Sequence, residues 1–247
     1  MDHEQSVLGV DIGGSSIKFC ILTEGKIGLH ETVNYENGTN PSEILRMIVR
    51  KIAEWNFVGS IGIGFPGLVR GENIVDAPNL GNDWKGYDLL GHLRQEFDCR
   101  VAIINDADAA ALAMCKETNG WETENILCLT LGTGIGSSWL KKGELEAGTE
   151  YGRIVHPELQ CSLEYWASVR TLNEEKLSID EWADRLCNIL QFLETRYNPN
   201  RFILSGGITT SSENWLQSIT DVVQTPVLIS TYGDLTGAIG AARLHLV

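Results

Sequence analysis

The fold is best predicted from the segment Val7-Leu8-Gly9-Val10-Asp11-Ile12-Gly13-Gly14-Ser15, an apolar run that ends in a glycine turn. A second apolar run at 17–22 follows this turn, and the pair indicates a β-hairpin. A small turn at 24–26 leads to a third strand. An amphipathic helix follows over 41–55, opened by a proline. The chain is therefore predicted to begin β-β-β-α.

The same pattern starts again in the middle of the chain. An apolar run at 126–131, a glycine turn at 132–136 and a run at 137–140 predict a second hairpin. We interpret this as a weak internal duplication, which predicts two similar lobes with a cleft between them. The remaining patterns predict strands at 60–67, 101–104, 201–205 and 227–229, and helices at 89–97, 106–114, 179–196 and 235–244.

Composition excludes several classes of protein. The 247 residues include 33 Asp and Glu but 19 Lys and Arg, a net charge of −14 that disfavours nucleic-acid binding. The six cysteines show no C-x-x-C spacing, which favours reduced cytosolic thiols and no structural zinc. The acidic start does not resemble an export signal, and no apolar run suits a bilayer span. We expect a cytoplasmic protein without membrane contact.

Both glycine turns are candidate phosphate sites. Asp11 precedes Gly13-Gly14-Ser15, which places a carboxylate beside a backbone turn without bulky side chains. Such a turn suits phosphate oxygens and a hydrated divalent cation, and the turn at 132–136 has the same character. The alternative is a plain hairpin turn that uses Asp and Gly for their backbone freedom.

Better-known phosphate and hydrolase motifs are absent from the sequence. No G-x-x-x-x-G-K-[ST] occurs, and the G-x-G-x-x-G match at 62–67 is not followed by a helix pattern, as dinucleotide binding requires. The five histidines are dispersed, so a zinc site would lack ligands. No nucleophile elbow is visible.

Three acidic positions are candidates for chemistry. Asp106 lies between a buried strand and a helix, so it could be the general base for an attacking hydroxyl. Asp or Asn at such a place is also the expected N-cap of the helix, and the two roles can be shared between Asp106 and Asp108. Glu150 and Glu164 follow the second hairpin, and their alternatives are ligand binding and ordinary solvated loop charge.

Taken together, these motifs resemble the ROK family of sugar kinases and regulators, and most closely its short polyphosphate glucokinase branch. The resemblance covers most of the chain and agrees in order and spacing. Besides the two glycine turns, it rests on Gly64-Phe65-Pro66-Gly67, Asn105-Asp106-Ala107-Asp108, Thr149-Glu150-Tyr151-Gly152, Leu204-Ser205-Gly206-Gly207 and Gly237-Ala238-Ile239-Gly240.

The resemblance implies an α/β, two-lobed actin-like ATPase fold, related to ribonuclease H, with an interdomain cleft. We expect an N-terminal α/β lobe over 1–106 and a C-terminal α/β lobe over 107–234. A final helix at about 235–247 is expected to pack back on the first lobe. A homodimer is expected from the family.

The resemblance also assigns roles to individual residues. Asp106 is implied to be the general base that accepts the proton of the sugar hydroxyl. The implied sugar ligands are Asn79, Asn105, Asp106, Glu150, Arg153 and Glu164. The implied phosphate and nucleotide ligands are Asp11, Gly13, Gly14, Ser15, Lys18, Gly132, Thr133, Gly134, Gly206 and Gly207. Asp11 is implied to hold Mg²⁺ through water.

The sequence departs from the family at points that concern substrate choice. Arg153 stands where the family usually has His in Glu-x-Gly-His, and the cysteine-rich zinc segment of longer members is absent. The segment 208–212 is neutral, whereas the polyphosphate branch tends to place lysines there.

The resemblance therefore favours a kinase that phosphorylates a hexose, with glucose as the expected acceptor and ATP slightly preferred over polyphosphate as donor. The alternatives are a kinase for another hexose or an amino sugar, and a weakly active or inactive sugar-binding protein. A DNA-binding regulator is disfavoured, because such relatives carry a further domain before the first strand.

Overall fold

A computed structural model describes residues 6–36, 38–77, 80–115 and 120–245. The chain folds into two compact units. The first extends to Ala113 and resumes at Gly237, and the second spans Met114–Thr236. Each unit is built on one five-stranded sheet.

Strands and helices follow the predicted order closely. The strands are β1 (Ser6–Ile12), β2 (Ser16–Thr23), β3 (Lys26–Asn34), β4 (Ser60–Phe65), β5 (Leu68–Arg70), β6 (Asn73–Asp76), β7 (Val101–Asn105), β8 (Asn125–Leu131), β9 (Ile135–Lys141), β10 (Glu144–Glu146), β11 (Arg201–Ser205) and β12 (Val227–Ile229). The α-helices are α1 (Pro41–Glu54), α2 (Leu89–Glu96), α3 (Asp106–Cys115), α4 (Leu163–Ala167), α5 (Val169–Glu174), α6 (Ile179–Tyr197), α7 (Leu216–Thr220) and α8 (Thr236–Arg243).

The sheet of the first unit has the strand order β3-β2-β1-β4-β7. β1, β2 and β3 are antiparallel neighbours, whereas β4 and β7 run parallel to β1. α1 connects the two kinds of strand; it begins with Pro41, and the Asn40 side chain accepts a hydrogen bond from the Glu43 amide. The predicted β-β-β-α opening is confirmed.

The sheet of the second unit repeats this arrangement, with the order β10-β9-β8-β11-β12. Its first three strands are antiparallel, and β11 and β12 run parallel to β8. The duplication predicted from the two glycine hairpins is therefore confirmed at the level of sheet topology.

Each sheet carries its largest apolar side chains on one face. In β1 the alternate residues Leu8, Val10 and Ile12 are buried against Ile44 and Ile48 of α1. In the second unit, β8 contributes Leu127, Leu129 and Leu131 to a cluster that contains Trp182 and Leu190 of α6. Burial of these stripes is the main stabilising term for both units.

The opposite face of the first sheet is covered by α8 at very short range. A Cβ atom on Gly9 would overlap the carbonyl oxygen of Ala238, and one on Gly62 would overlap that of Ala241. Glycine is required at both positions because the helix backbone lies directly on the strands.

The helix α3 also belongs to the first unit for most of its length. A Cβ atom on Gly240 of α8 would overlap the carbonyl oxygen of Ala109, so the two helices are in backbone contact. The division between the units consequently lies after Ala113. The expected boundary after residue 106 is earlier, because sequence patterns do not reveal this helix pairing.

The long helix α6 begins with a capping box. The Glu181 amide donates to the Ser178 hydroxyl at 3.2 Å, and the Ser178 amide donates to the Glu181 carboxylate at 2.8 Å. This backbone hydrogen bond lowers the pKa of Glu181 from its usual range. Within the described ranges, no helix combines the length and apolar character needed to cross a membrane.

We predict that Gly62→Ala destabilises the protein by about 3 kcal/mol, because the new methyl group must push α8 away from β4. Urea denaturation followed by tryptophan fluorescence measures the effect. The matched control is Gly28→Ala in β3, where a Cβ atom would lie at an ordinary 3.4 Å from the Ile21 carbonyl oxygen. Equal stability of the two variants would contradict the close contact between α8 and β4 at Gly62.

Candidate functional site

The predicted site residues divide between the two units. Asp11, Gly13, Gly14, Ser15, Lys18, Asn105 and Asp106 lie in the first unit, and Gly132, Thr133, Gly134, Glu150, Arg153, Glu164, Gly206 and Gly207 lie in the second. Asn79 falls outside the described residues.

In the first unit, the turn between β1 and β2 is closed by its own backbone. The Gly13 amide donates to the Ser16 carbonyl at 2.8 Å. Gly14 and Ser15 are exposed at the tip, and apart from the adjoining residues no atom in the described ranges lies within 4 Å of where a Gly14 Cβ would be. The tip therefore has room for a bulky anion, as the phosphate prediction requires.

Tyr35 holds this turn in place, a role that the sequence did not reveal. Its hydroxyl donates to the Gly13 carbonyl, and its amide donates to the Ser15 carbonyl at 2.9 Å. Burial, and then the negative charge of Asp11, raise the pKa of Tyr35 to about 12. The phenol is therefore a hydrogen-bond donor at neutral pH.

Asp11 lies at the end of β1, on the strand face that meets α8. A Cβ atom on Gly237 would lie 2.6 Å from the Asp11 carboxylate, so glycine leaves the space that this group occupies. The Lys18 ammonium lies 3.9 Å from Asp11 Oδ2. The half-buried carboxylate is thus fixed between a helix start and a cation.

Asp11 is also the residue that fits a magnesium ion. Mg²⁺ usually keeps several water ligands and takes one or two carboxylates together with substrate phosphates. Among the described residues, no group of three or more His, Cys, Asp or Glu side chains is arranged to hold a metal. A magnesium ion at the first turn would therefore take Asp11 as its carboxylate and depend on water and phosphate for other ligands.

The strand-to-helix junction at β7 and α3 is organised by Asn105. Its side-chain oxygen accepts from the amides of Ala107 at 2.9 Å and Asp108 at 3.2 Å, and its side-chain nitrogen donates to the Gly67 carbonyl at 3.1 Å. Asn105 is therefore the N-cap, the role expected of an Asp or Asn at this junction.

Asp106 is half-buried at the first position of α3. One of its oxygens, Oδ1, accepts from the Ala107 amide at 2.8 Å. The start of a helix favours a negative charge, so the carboxylate is stabilised as an anion where it stands. Asp108, two residues further, is only 3% exposed and belongs to the interior of the unit.

In the second unit, the turn at 132–136 is held between two partners. The Gly132 amide donates to the Gly134 carbonyl at 3.0 Å, and the Gly132 carbonyl accepts from the Val169 amide of α5 at 2.9 Å. A Cβ atom on Gly134 would lie 2.6 Å from Glu164 Oε2. Glu164, predicted as a sugar ligand, is therefore placed directly against this turn.

Glu150 and Arg153 form an ion pair across a single 3₁₀ turn. Arg153 Nε lies 3.2 Å from Glu150 Oε2, and the two side chains are 58% and 47% exposed, respectively. Between them, Gly152 packs so closely on β9 that a Cβ atom would overlap the Ile135 carbonyl oxygen. The pair is consequently held beside the second glycine turn.

A cavity of about 700 Å³ opens next to the second turn. Its lining is Leu131, Gly132, Thr133, Val169, Arg170, Leu172, Asn173, Glu174, Ile179, Gly207, Ile208 and Ser211. Gly206 adopts φ +112°, and a Cβ atom there would overlap the Leu131 carbonyl oxygen. The cavity thus joins the glycine turns at Gly132 and Gly207, and its apolar walls with a few polar groups are typical of a small-molecule site.

Comparison with known proteins shows the family of this chain. Residues 7–165 match the ROK family. A polyphosphate glucokinase of Mycobacterium leprae (strain TN) is 30% identical over 239 residues, which cover 95% of this chain and 72% of that protein.

Solved structures show the same fold. The inorganic polyphosphate/ATP-glucomannokinase from Arthrobacter sp. strain KM has a TM-score of 0.87 at 28% identity, with 96% of this chain and 97% of that chain covered. A ROK family glucokinase from Streptomyces griseus, in complex with glucose and AMPPNP, has a TM-score of 0.81 at 23% identity, with 97% and 98% covered. The predicted α/β actin-like ATPase fold class is confirmed by these matches.

The family match covers more than half of the chain, and the relatives named above are sugar kinases. The chain accordingly belongs to the ROK family and is a sugar kinase, a phosphotransferase whose acceptor is a sugar hydroxyl.

Proposed function

We propose that this protein transfers the terminal phosphoryl group of ATP to a hexose, with glucose as the expected acceptor and glucose 6-phosphate as the product. The main observation in favour of ATP as the phosphoryl donor is the cavity of the second unit. It is large enough for a nucleoside, has apolar walls, and begins at a glycine turn suited to phosphates.

The charge of the chain supports ATP over polyphosphate as the main donor. A polyanion bound along a surface needs several Lys or Arg contacts, and the chain has a net charge of −14. The segment after the Gly206-Gly207 turn offers hydroxyls instead of cations, and one of them, Ser211, lines the cavity. Polyphosphate is the second candidate, because the relatives include a polyphosphate glucokinase and a polyphosphate/ATP-glucomannokinase.

In the proposed reaction, Asp106 accepts the proton of the attacking sugar hydroxyl. The hydroxyl oxygen forms a bond to the terminal phosphorus as the bond to the leaving phosphate oxygen of ADP breaks. Asn105 positions the start of α3 and thereby the carboxylate of Asp106. Magnesium bound near Asp11 would neutralise the donor phosphates, as it does in kinases generally.

On the acceptor side, we propose that Glu150, Arg153 and Glu164 contribute to sugar binding, together with Asn79 and Asn105. The ion pair with Arg153 occupies one oxygen of Glu150 that would otherwise accept from a sugar hydroxyl. Guanidinium only donates hydrogen bonds, whereas the histidine usual in the family can also accept one. Weak affinity for plain glucose, or a preference for a hexose with an acceptor substituent, is the consequence.

We further propose a cytoplasmic homodimer. Analytical ultracentrifugation tests the dimer, and a single species at the monomer mass of 27.2 kDa would contradict it.

The direct test is a coupled assay of glucose phosphorylation with ATP and with polyphosphate at physiological ionic strength. We expect kcat/KM to be higher with ATP. A far higher kcat/KM with polyphosphate would overturn the donor assignment. Absence of product with every hexose and both donors would favour the alternative of an inactive sugar-binding protein.

We predict that Asp106→Asn lowers kcat by roughly 10² or more and leaves sugar affinity nearly unchanged. Asparagine keeps an oxygen that can accept from the Ala107 amide but cannot take the proton of the hydroxyl. The exposed Asp98→Asn is the matched control. Near-normal turnover of Asp106→Asn would assign this residue a purely structural role.

We predict that Arg153→His lowers the KM for glucose by about threefold or more, because it releases Glu150 from an ion pair worth up to about 1 kcal/mol. Arg153→Lys keeps the positive charge but loses the planar guanidinium. Comparing its KM with that of Arg153→His therefore separates the effect of charge from that of side-chain shape. The assay covers hexoses, amino sugars and sugar acids. If all specificity constants of Arg153→His stay within about twofold of the unmodified enzyme, Arg153 has no part in sugar choice.

A further inference from the structure

The helix α5 forms one wall of the cavity, and its direction is set by the second glycine turn. The Val169 amide donates to the Gly132 carbonyl at 2.9 Å, so α5 starts at the turn. The Ser168 hydroxyl caps this start by accepting from the Thr171 amide at 3.2 Å. The rest of α5 therefore leads away from the proposed phosphate end of the cavity.

Two oppositely charged residues follow each other along this wall. Arg170 and Glu174 both line the cavity, and four residues of helix place them on the same face, about 6 Å apart along the axis. Arg170 is next to the end that contains Gly132, and Glu174 is one turn further along α5; both residues are exposed. The wall thus changes from positive to negative with distance from the turn.

Both charges stand outside the ion pairs found in the part of the chain that the structure describes. Among the residues that the structure describes, Arg170 and Glu174 have no ion-pair partner, whereas the neighbouring Glu175 pairs with Arg185 at 2.7 Å. The apolar residues Leu172, Ile179 and Ile208 line the same cavity. Glu174 is therefore accessible to a ligand that extends along α5 away from Gly132.

This order of charges is complementary to a nucleoside triphosphate. It is not complementary to inorganic polyphosphate. A nucleotide has its anionic phosphates at one end and, at the other, hydroxyl and amino groups that donate hydrogen bonds, which a carboxylate accepts. A polyphosphate chain has only anionic acceptors along its whole length. The phosphates of such a chain that are furthest from Gly132 would lie near the Glu174 carboxylate and be repelled.

We infer that Glu174 is a donor-selecting residue, which binds the nucleoside end of ATP and disfavours inorganic polyphosphate in the same cavity. Arg170 binds the phosphates of either donor and therefore does not discriminate between ATP and polyphosphate. The inference rests on the proposed binding of ATP in this cavity.

The decisive experiment compares ATP with inorganic tripolyphosphate, which has the same number of phosphates and no nucleoside. Isothermal titration calorimetry with magnesium gives the Kd of each ligand for the unmodified protein, Glu174→Gln and Glu174→Lys. Glu213→Gln and Glu213→Lys are the matched controls, because Glu213 is exposed in the same unit and does not line the cavity. Steady-state kcat/KM for both donors accompanies the binding data.

We expect Glu174→Gln to lower the ratio of the tripolyphosphate Kd to the ATP Kd by about threefold, and Glu174→Lys by about tenfold or more. The Glu213 variants are expected to leave this ratio within about twofold. Ratios within twofold of the unmodified protein in both Glu174 variants would overturn the inference, as would equal shifts in the Glu213→Lys control.

ATP binding and hexose phosphorylation by the unmodified protein show whether a negative result concerns only Glu174 or the proposed function as a whole. If it binds ATP and phosphorylates hexose but the ratios do not respond to Glu174, only the selecting role is wrong. If it does not bind ATP at all, the proposed donor is wrong and the inference falls with it.

Discussion

The direct contact between a helix backbone and a sheet backbone is the constraint on which the first unit depends. α8 can lie on β1 and β4 only because Gly9 and Gly62 present no side chain to it. Asp11 lies on the same face of β1 as Gly9, two residues later, where Gly237 leaves space for its carboxylate. The contact that completes the fold thus also places the carboxylate expected to meet the donor phosphates.

In the second unit, glycines likewise allow close backbone contacts around the hairpin of β8 and β9. Gly152 brings the loop that carries Glu150 and Arg153 against β9, and Gly206 lets its turn approach the end of β8. Residues far apart in the chain therefore meet at the turn between β8 and β9. In both units, glycine is needed near the candidate site because backbone segments come into direct contact there, and not only because glycine is conformationally free.

Local patterns were sufficient for the longer elements of the fold, whereas short ones such as β5, β6, α4, α5 and α7 were not predicted. The helices at 41–55 and 179–196 were predicted within one or two residues, because an apolar stripe and a capping residue are both encoded locally. The repeated glycine hairpin predicted the shared sheet topology for the same reason. The boundary between the units was predicted too early, because the pairing of α3 with α8 joins segments that are distant in sequence.

By itself, the sequence determined the order of the longer strands and helices, the two glycine turns and the family, since each depends on residues close together in the chain. Only the tertiary structure decided how individual polar groups are used. Tyr35 holds a turn formed by residues more than a strand away, Asn105 donates a hydrogen bond to the distant Gly67 carbonyl, and Glu174 lines a cavity shared by separate elements. Such roles depend on which distant atoms come within hydrogen-bonding or contact range, and that is settled by packing of the whole unit.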